Sequence, residues 1–342
     1  MASVDVVVPS YQYGRYLRGC VTSVLRQDIA NLRVLIIDNA STDDSVVIAR
    51  QLAAEDRRVE VLARPHNLGP HASFNDGIDW ACADYFLILC ADDLLAPGAL
   101  ARAVTVMEQH PGVHLTYGGV VIDTSTAGMP PDPCFSNLGL PPVGPVAADW
   151  RIQSGSALLE RFCRTGRNHI PGPTAVVRTS VQKQVGYYRR TLPQTDDLEI
   201  WMRFALQGDA AETDVVQGIA RVHPLSQSAS SRTVHDWNVE FLAAFETFFA
   251  DAGAALPQAG RLRRLARRAL AERAYWCAAS HLARGDVALA RDLIRFSVRM
   301  APSTAVLPPV TALLRRPDTL QRLGRLSADL TAPLRRRFDG TP

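Results

Sequence analysis

The feature that most constrains this fold is a regular alternation of strand-like and helix-like segments over the first 123 residues. Short apolar runs at Val4–Val8, Leu32–Ile37, Val59–Ala63 and Tyr85–Cys90 are separated by stretches with apolar residues at helical spacing. This alternation predicts parallel strands joined by right-handed helical crossovers, in a sheet covered on both faces. The carboxyl ends of all four strands should then meet at one edge, where α/β sheets bind ligands.

Two adjacent carboxylates, Asp92 and Asp93, directly follow the fourth apolar run. Neighbouring carboxylates repel unless a proton or a cation lies between them, and Mg²⁺ and Mn²⁺ prefer oxygen ligands. The pair therefore predicts a divalent-cation site at the sheet edge. The alternative is that both acids only cap the following helix, which Pro97 is placed to open.

The sequence between residues 112 and 234 predicts more elements of the same unit. A long loop rich in proline and glycine is expected over Thr124–Asp149. A helix should begin near Thr195, because acidic residues fill its first turn. Four further elements are expected: a strand over Gly112–Ile122, a helix around Ala157–Arg164, a strand around Thr174–Arg178 and a last short strand over Ile219–Val222.

The remainder of the chain is almost entirely helical in pattern and strongly basic. Residues 255–342 carry 17 basic and 6 acidic side chains, a net charge of +11, whereas residues 1–254 have a net charge of −8. Between Arg261 and Leu270, arginines occupy one half of a helical wheel and apolar residues the other. A hairpin of two helices, Ala274–Arg284 and Val287–Met300, is expected, with Gly285 ending the first and Asp286 capping the second.

These patterns predict two domains. The first is residues 1–234, with a part of about 1–123 whose strand ends could form a nucleotide pocket and a second part of about 124–234. The second is a helical basic domain, residues 235–342. The first residues lack a basic region, and no stretch reaches the roughly 18 apolar residues of a membrane span, so a cytoplasmic protein is expected. The six cysteines lack metal-ligand spacing, and neither a zinc site nor a disulfide framework is expected.

Three roles are open for the basic region. It could be a solvated face that packs against the catalytic domain or a second subunit, since arginine stems also cover apolar surface. It could attach the protein peripherally to anionic lipid at the inner face of the membrane. Nucleic acid is not expected as a partner, because no aromatic residues are interleaved with the arginines.

Five segments in order resemble glycosyltransferase family 2, inverting enzymes of the GT-A fold that transfer a sugar from a nucleoside diphosphate. They are VVVPSYQYGRYL, LIIDNASTDDS, HNLGPHASFNDGI, LILCADDLLAPGAL and TDDLEIWMRFALQG, with a weaker sixth, RVHPLSQS. The resemblance covers about residues 4–230. It implies a Rossmann-like, mostly parallel sheet flanked by helices, followed here by an all-helical region. It also implies a sugar donor, with UDP or dTDP favoured, and a hydroxyl acceptor in the biosynthesis of a polysaccharide, glycolipid or glycosylated metabolite.

The resemblance assigns the donor to a set of residues at the strand ends. Asp38 would accept a hydrogen bond from the imide N–H of a pyrimidine, although it could instead only begin an Asx-turn. Relatives often have a basic residue where Phe74 stands, so His71 could supply the missing charge. The full set of implied donor-binding residues is Pro9, Ser10, Tyr11, Asp38, Asn67, His71 and Asp92.

The metal and the catalytic base are also implied by the resemblance. Asp93 would coordinate Mn²⁺ or Mg²⁺ at the diphosphate, with His223 as a second contact, so that no protein acid is needed at the leaving group. Asp197 would be the base that takes the proton of the acceptor hydroxyl. Asp196 and Glu199 are alternatives for the base, and all three acids could instead only favour the helix amino terminus.

Two rival functions share parts of this pattern. A sugar-nucleotide nucleotidyltransferase would have a similar sheet and acidic pair, but it would normally show a glycine-rich, arginine-containing phosphate loop, which VVVPSYQYGRYL is not. A non-catalytic nucleotide-sugar-binding protein of the same fold is disfavoured, because both the metal pair and the expected base are present.

Overall fold

The computed structural model of the chain describes residues 2–123, 149–223 and 233–309. It divides the chain into two compact units, residues 1–159 with 168–230 and residues 160–167 with 231–342. The short segment 160–167 thus joins the second unit. The domain boundary expected at residue 234 stays a prediction. The loop expected over Thr124–Asp149 lies outside the described residues except for Asp149.

The first unit is built on a mixed sheet, with nine strands in the described part of the chain. They are β1 (Ser3–Ser10), β2 (Asn31–Asp38), β3 (Val59–Ala63), β4 (Tyr85–Ile88), β5 (Leu94–Leu95), β6 (Val113–Asp123), β7 (Arg151–Gln153), β8 (Val176–Arg178) and β9 (Asp209–Arg221). Their order is β3-β2-β1-β4-β8-β6-β9-β5, and β7 pairs with β9. The first four strands in this order are parallel, as predicted, whereas β8 runs antiparallel to both β4 and β6.

Helices flank this sheet. They are α1 (Gly14–Leu25), α2 (Ser45–Glu55), α3 (Pro70–Trp80), α4 (Ala99–Gln109), α5 (Gly155–Thr165), α6 (Thr179–Val185) and α7 (Asp196–Phe204). The apolar faces of α1 and α4 and one face of β1 and β2 contribute to a single buried cluster. Helix α3 lies very close to β1 at Gly77. A Cβ placed on this glycine would lie only 2.7 Å from the side chain of Val7. A larger residue there would push the helix off the sheet.

Strand β4 ends two residues before the expected Cys90, but its backbone keeps bonding to β1. Leu89 N donates to Val7 O at 2.9 Å, and Ala91 N donates to Pro9 O at 3.2 Å. The acidic pair therefore follows the last ladder bond at the ligand edge. Pro97 does not open the next helix directly, since α4 begins at Ala99 after Gly98 in a left-handed conformation.

Strand β9 is much longer than the expected Ile219–Val222, and that prediction is wrong at its amino end. The strand begins at Asp209, and its first half, DAAETDVV, lacks a clear apolar run. It forms because β6 supplies a parallel partner along its whole length, with register shifts near Gly119. Pairing thus determines a strand that local composition does not indicate.

The second unit contains three helices among its described residues, α8 (Val234–Ala250), α9 (Ala259–Ala283) and α10 (Val287–Met300). Thr233 and Asp236 form a capping box at the start of α8. The basic segment and the first arm of the expected hairpin form one continuous helix, α9, so their separation in the prediction is wrong. The predicted hairpin turn is confirmed: Gly285 has φ +86°, and the Asp286 side chain accepts from Leu289 N at 3.3 Å.

The arginines of α9 are largely engaged within this unit. Four of the five from Arg261 to Arg268 form ion pairs: Arg261 with Glu160, Arg263 and Arg267 with Glu246, and Arg268 with Glu272. Surface pairs of this kind contribute little stability individually. Their effect here is to offset much of the positive charge of the helix.

Among the helices that the structure describes, none combines the length and apolar character required to cross a membrane.

Candidate active site

The ligand edge begins with two buried polar side chains on neighbouring strands. Because β1 and β2 pair in parallel, Ser10 lies beside Asp38 at their carboxyl ends. Asp38 is fully buried, and its Oδ2 accepts from the backbone N–H of Ser41, three residues on, at 2.9 Å. Its Oδ1 and the Ser10 hydroxyl are buried without a hydrogen-bond partner among the described residues. Buried polar atoms are rarely left in this state, so both point to a ligand group at this edge.

The loops after β1 and β2 are fastened to each other around these side chains. Gln12 and Ala40 adopt positive φ angles of 60° and 63°, which non-glycine residues seldom do. Gln12 N donates to Ser41 Oγ at 2.9 Å, and Gln12 Nε2 donates to Thr42 Oγ1 at 2.8 Å. Strained backbone held by several bonds is typical of binding sites. Tyr11 projects from this loop and is 44% exposed.

The loop after β3 is braced by a polar network that the sequence did not indicate. Asn39 Nδ2 donates to Asn67 Oδ1 at 2.7 Å, and Asn39 Oδ1 accepts from Leu68 N at 3.0 Å. Arg64 is buried and donates to Asn39 and Ser73. Asn67 is thus placed at the edge as expected, with its carbonyl oxygen used by the loop itself.

The acidic pair after β4 is embedded in donors from β9. Asp93 Oδ1 accepts from Arg221 N at 3.0 Å, and Arg221 Nη1 donates to Asp92 O at 2.8 Å. His223 Nε2 lies 3.3 Å from Asp92 Oδ2. Burial raises the pKa of Asp92, while His223 and Arg221 act in the opposite direction. Burial, and then the charge of Asp92, raise the pKa of Asp93 well above its usual range. Because burial and like charge disfavour both charged carboxylates, a cation between them is favoured.

The donor atoms at this pair suit a divalent ion. Ligand atoms of Cys90, Asp92 and Asp93 all lie within 4.8 Å of one another. The two carboxylates fit a hard cation such as Mg²⁺ or Mn²⁺, and a thiol alongside them is more compatible with Mn²⁺. Because Cys90 belongs to an apolar run, it was interpreted as the end of the strand and not as a candidate ligand.

Aromatic side chains surround His223. Its ring lies 5.5 Å from the Tyr13 ring, edge to face, and 5.0 Å from the Tyr16 ring. The Arg221 guanidinium lies 4.5 Å from the Tyr16 centroid. Burial, followed by the charges of Asp92, Cys90 and Asp93, raises the pKa of Tyr13, which keeps its phenol neutral and able to donate. Tyr13 is a site residue that sequence reasoning missed.

The second acidic cluster lies at the amino end of α7. Asp197 Oδ2 accepts from Asn168 Nδ2 at 2.6 Å, and its Oδ1 accepts from Leu198 N at 2.7 Å. Burial, and then the charge of Asp196, raise the pKa of Asp197 to about 7. A carboxylate with that pKa can accept a proton near neutral pH.

Glu199 occupies a different environment from its two neighbours. It is fully buried and forms ion pairs with Arg203 at 2.8 Å and Arg189 at 3.0 Å. Trp201 is also buried in the core. Arg203 is therefore an internal ion-pair partner, and Trp201 packs in the core.

His71 lies against this second cluster. It is the second residue of α3, only 7% exposed, and its Nε2 lies 3.3 Å from Asp196 Oδ2. Burial is the main cause of the raised pKa of Cys90, and the charge of Asp196 also contributes to it. The acids at the start of α7 therefore lie within electrostatic range of the Asp92–Asp93 pair. The expectation that His71 contacts the donor stays a prediction.

A parallel sheet core extended by antiparallel strands, with carboxylates after β2 and β4, defines an α/β protein of the GT-A class. A family model described as Glycosyl transferase family 2 matches residues 5–186, and the chain belongs to that family. The resemblance carried by the sequence motifs and the predicted fold class are thus confirmed.

Curated relatives match over part of the chain. An uncharacterized glycosyltransferase of Haemophilus influenzae is 33% identical over 118 residues, which are 34% of this chain and 47% of that protein. Glycosyltransferase GlyG of Streptococcus pneumoniae is 27% identical over 165 residues, 46% of this chain and 55% of GlyG. The chain spans about half the length of these curated relatives.

Solved structures match over most of the chain. S. aureus TarS 1–349 in complex with UDP-GlcNAc aligns at TM-score 0.53 and 16% identity, covering 89% of this chain and 91% of that one. Mannosyltransferase PcManGT from Pyrobaculum calidifontis, in complex with GDP-Man and Mn²⁺, aligns at TM-score 0.52 and 16% identity, covering 99% and 88%. At such identities the likeness concerns the fold.

Proposed function

We propose that this protein is an inverting glycosyltransferase that moves a sugar from a nucleoside diphosphate to an acceptor hydroxyl with the help of a divalent cation. The observation that carries the proposal is the arrangement of one sheet edge. Ser10 and Asp38 have buried oxygen atoms without a hydrogen-bond partner among the described residues. They lie at the same sheet edge as Asp92 and Asp93, where burial and mutual repulsion disfavour the charged carboxylates. A further carboxylate, Asp197, has a pKa suited to a base.

The donor would bind along the ends of β1, β2 and β4. Asp38 Oδ1 is buried and has no hydrogen-bond partner among the described residues, so it can accept a hydrogen bond from the imide N–H of uracil or thymine. A base without that N–H would leave the oxygen without a partner. Pro9, Ser10 and Tyr11 would hold the base and Asn67 the nucleoside. Asp92 would contact the ribose or the sugar. A nucleotide-sugar donor is further supported by the UDP-GlcNAc and GDP-Man complexes of the structural neighbours.

Asp93, with Asp92 and His223 alongside it, would hold the cation at the diphosphate. The bound ion supplies positive charge for the departing diphosphate, as Lewis acids do in phosphoryl and glycosyl transfer. The chain's contribution is to hold this segment in place: the backbone N–H of Arg221 donates to the Asp93 carboxylate, and its guanidinium donates to the backbone carbonyl of Asp92. The Mn²⁺ complex of a structural neighbour supports a divalent ion.

Asp197 would act as the base. The acceptor oxygen forms a bond to the anomeric carbon, its proton passes to Asp197, and the bond to the diphosphate oxygen breaks with its electron pair. Attack from the face opposite the leaving group inverts the anomeric configuration. Glu199 is a poor candidate, since its carboxylate is held by two arginines. Asn168 keeps the Asp197 carboxylate in one orientation.

The basic helix α9 would serve packing within its own unit. Its ion pairs with Glu160, Glu246 and Glu272 support this role over binding to lipid. Co-sedimentation with vesicles of anionic phospholipid tests the choice. We expect the protein to remain in the supernatant at physiological salt; salt-sensitive pelleting would support peripheral attachment.

A donor panel tests the function directly. Thermal shifts are measured with UDP-, dTDP- and GDP-sugars in Mn²⁺, and then with the metal chelated. We expect stabilisation by the pyrimidine donors that falls on chelation, since a ligand stabilises the state it binds. Release of nucleoside diphosphate on adding an acceptor would support transfer, whereas exchange dependent on pyrophosphate would support a nucleotidyltransferase.

A further inference from the structure

His71 is fixed between two acceptors. Its Nε2 lies 3.3 Å from Asp196 Oδ2, and the ring also bonds to the backbone of Leu192. The Nε2 contact has the length of an ion pair without hydrogen-bond alignment, and no other partner for this nitrogen lies among the described residues. A neutral imidazole has one donor nitrogen only, so acceptors on both sides favour the doubly protonated ring.

The location of His71 would otherwise disfavour a positive charge. It is the second residue of α3, where the helix dipole is positive, and it is almost fully buried. Its ring packs near Phe74, which in turn contacts Tyr188. The contact with the Asp196 carboxylate raises the pKa of His71 despite its burial. The carboxylate therefore outweighs the helix and the apolar surroundings.

The segment opposite α3 is tied to it by a second contact. Asn75 Nδ2 donates to Tyr188 O at 3.1 Å, and Asn75 Oδ1 accepts from Tyr188 N at 2.9 Å. Helix α3 thus holds the chain leading to Asp196 in two places. The charged and titratable groups that bear on this region are Asp196, Asp197, Arg190, Tyr188, Arg203 and Cys90.

We propose that His71, as an imidazolium, is a positioning residue that anchors the Asp196 carboxylate and offsets its negative charge beside Asp197. The inference rests on the proposed function, in which Asp197 takes the acceptor's proton. Adjacent carboxylates raise each other's affinity for protons, and a cation paired to one relieves the other. His71 therefore helps to keep Asp197 able to accept a proton near neutral pH.

The contact is tested without activity by an NMR titration of the histidine rings. His71 is assigned by its loss in His71→Gln. In the wild type we expect its pKa to lie above the ordinary value of about 6.5, and in Asp196→Asn to fall towards it. The same titration in both proteins would overturn the proposal.

The effect on catalysis is tested by the pH dependence of kcat in His71→Gln, His71→Lys and the control His110→Gln, an exposed histidine at the end of α4. For His71→Gln we expect the acid limb to move up by about one pH unit, a loss of about tenfold in kcat below that limb. Recovery should follow at higher pH. The Lys variant, which keeps a positive charge, should shift less, and the control should match the wild type.

Two results would contradict this role. A raised KM for the donor with an unmoved kcat profile would mean that His71 contacts the donor. An equal fall in kcat at every pH, with loss of thermal stability, would mean a structural role only. If the wild type transferred no sugar while His71 still titrated with Asp196, the proposed function would fail and the ion pair would stand.

Discussion

The two acidic pairs, Asp92–Asp93 and Asp196–Asp197, have the same composition and different surroundings. The first is held by Arg221 through a backbone N–H and a guanidinium, with His223 beside it. The second is held by side chains from other segments, Asn168 at one carboxylate and His71 at the other. Among the described residues, only the first pair belongs to a cluster of three metal-ligating side chains, with Cys90, whose ligand atoms all lie within 4.8 Å of one another.

The surroundings of an Asp-Asp dipeptide thus decide whether it is suited to bind a cation or to accept a proton. At the first pair, the two carboxylates lie close together, and a divalent cation would relieve their repulsion. At the second, a histidine offsets one carboxylate, and the other is left with a pKa of about 7. Substitutions at the first pair should therefore change the metal requirement, and substitutions at the second the pH dependence of kcat.

The largest effect is expected from Asp93→Asn. Removing one carboxylate from the metal pair should lower kcat by about a thousandfold, because a bound cation contributes several kcal/mol at the leaving group. The Mn²⁺ concentration needed for half-maximal rate should also rise, as measured by release of nucleoside diphosphate. Asp28→Asn, at an exposed aspartate, is the matched control. An unchanged metal requirement would contradict the division of roles.

Asp197→Asn should lower kcat by about a hundredfold or more, the usual contribution of a general base. Its Mn²⁺ requirement should stay that of the wild type, in contrast to Asp93→Asn. The melting temperature at pH 8 should not fall, since the substitution removes a buried carboxylate next to Asp196. Full activity in this variant would transfer the role of base to Asp196.

Glu199→Gln should affect stability and leave kcat per folded molecule close to that of the wild type. Breaking a buried pair leaves arginines uncompensated and costs about 3 kcal/mol. Glu199 is fully buried between Arg203 and the partly exposed Arg189, so urea unfolding is the measurement. A large loss of kcat without loss of stability would make Glu199 a catalytic residue after all.

The pH dependence of kcat should follow Asp197. Its pKa of about 7 is raised above the ordinary value, so the base is protonated and inactive below pH 7. We expect kcat to fall about tenfold per pH unit below that point. The same shift means that the protonated form stabilises the fold at low pH, and this stability is lost as pH rises through 7. A flat profile between pH 5 and 8 would exclude Asp197.

The smallest effect is expected from Asn168→Ala. Asn168 donates to Asp197 and lowers its pKa, so its removal should move the acid limb to higher pH. We expect a shift of about 0.7 pH unit, about a threefold loss of kcat at pH 7, because one hydrogen bond to a charged group contributes about 1 kcal/mol. In Asp93→Asn, the acid limb of the kcat–pH profile should not move to higher pH.

Much of the nucleotide-binding half could be predicted from sequence, because its signals are local. The β-branched runs at β1 and β2 and the helical spacing between them determine parallel strands and their polar ends. Asp38, Asp92 and Asp93 were therefore predicted at the same sheet edge where the structure places them. Gly285 and Asp286 were equally readable, since a helix stop and a cap depend on neighbours in the chain.

Other features depended on distant partners. The first half of β9 has no strand pattern of its own and exists because β6 pairs with it. Tyr13 lies near the acidic pair because β1, which it follows, is the neighbour of β4 in the sheet. The contact of the His71 ring with Asp196, 125 positions away in the numbering of the chain, likewise had no signal in the sequence.

The sequence by itself determined the family, the strand ends and the identity of the acidic pairs, since these are written in short motifs and periodicities. Tertiary structure alone decided which cation meets which carboxylate. Charges act over a few ångströms of space and take no account of separation along the chain, so the contacts of Asp93 with Arg221 and of Asp196 with His71 emerge only when the sheet and its helices are assembled.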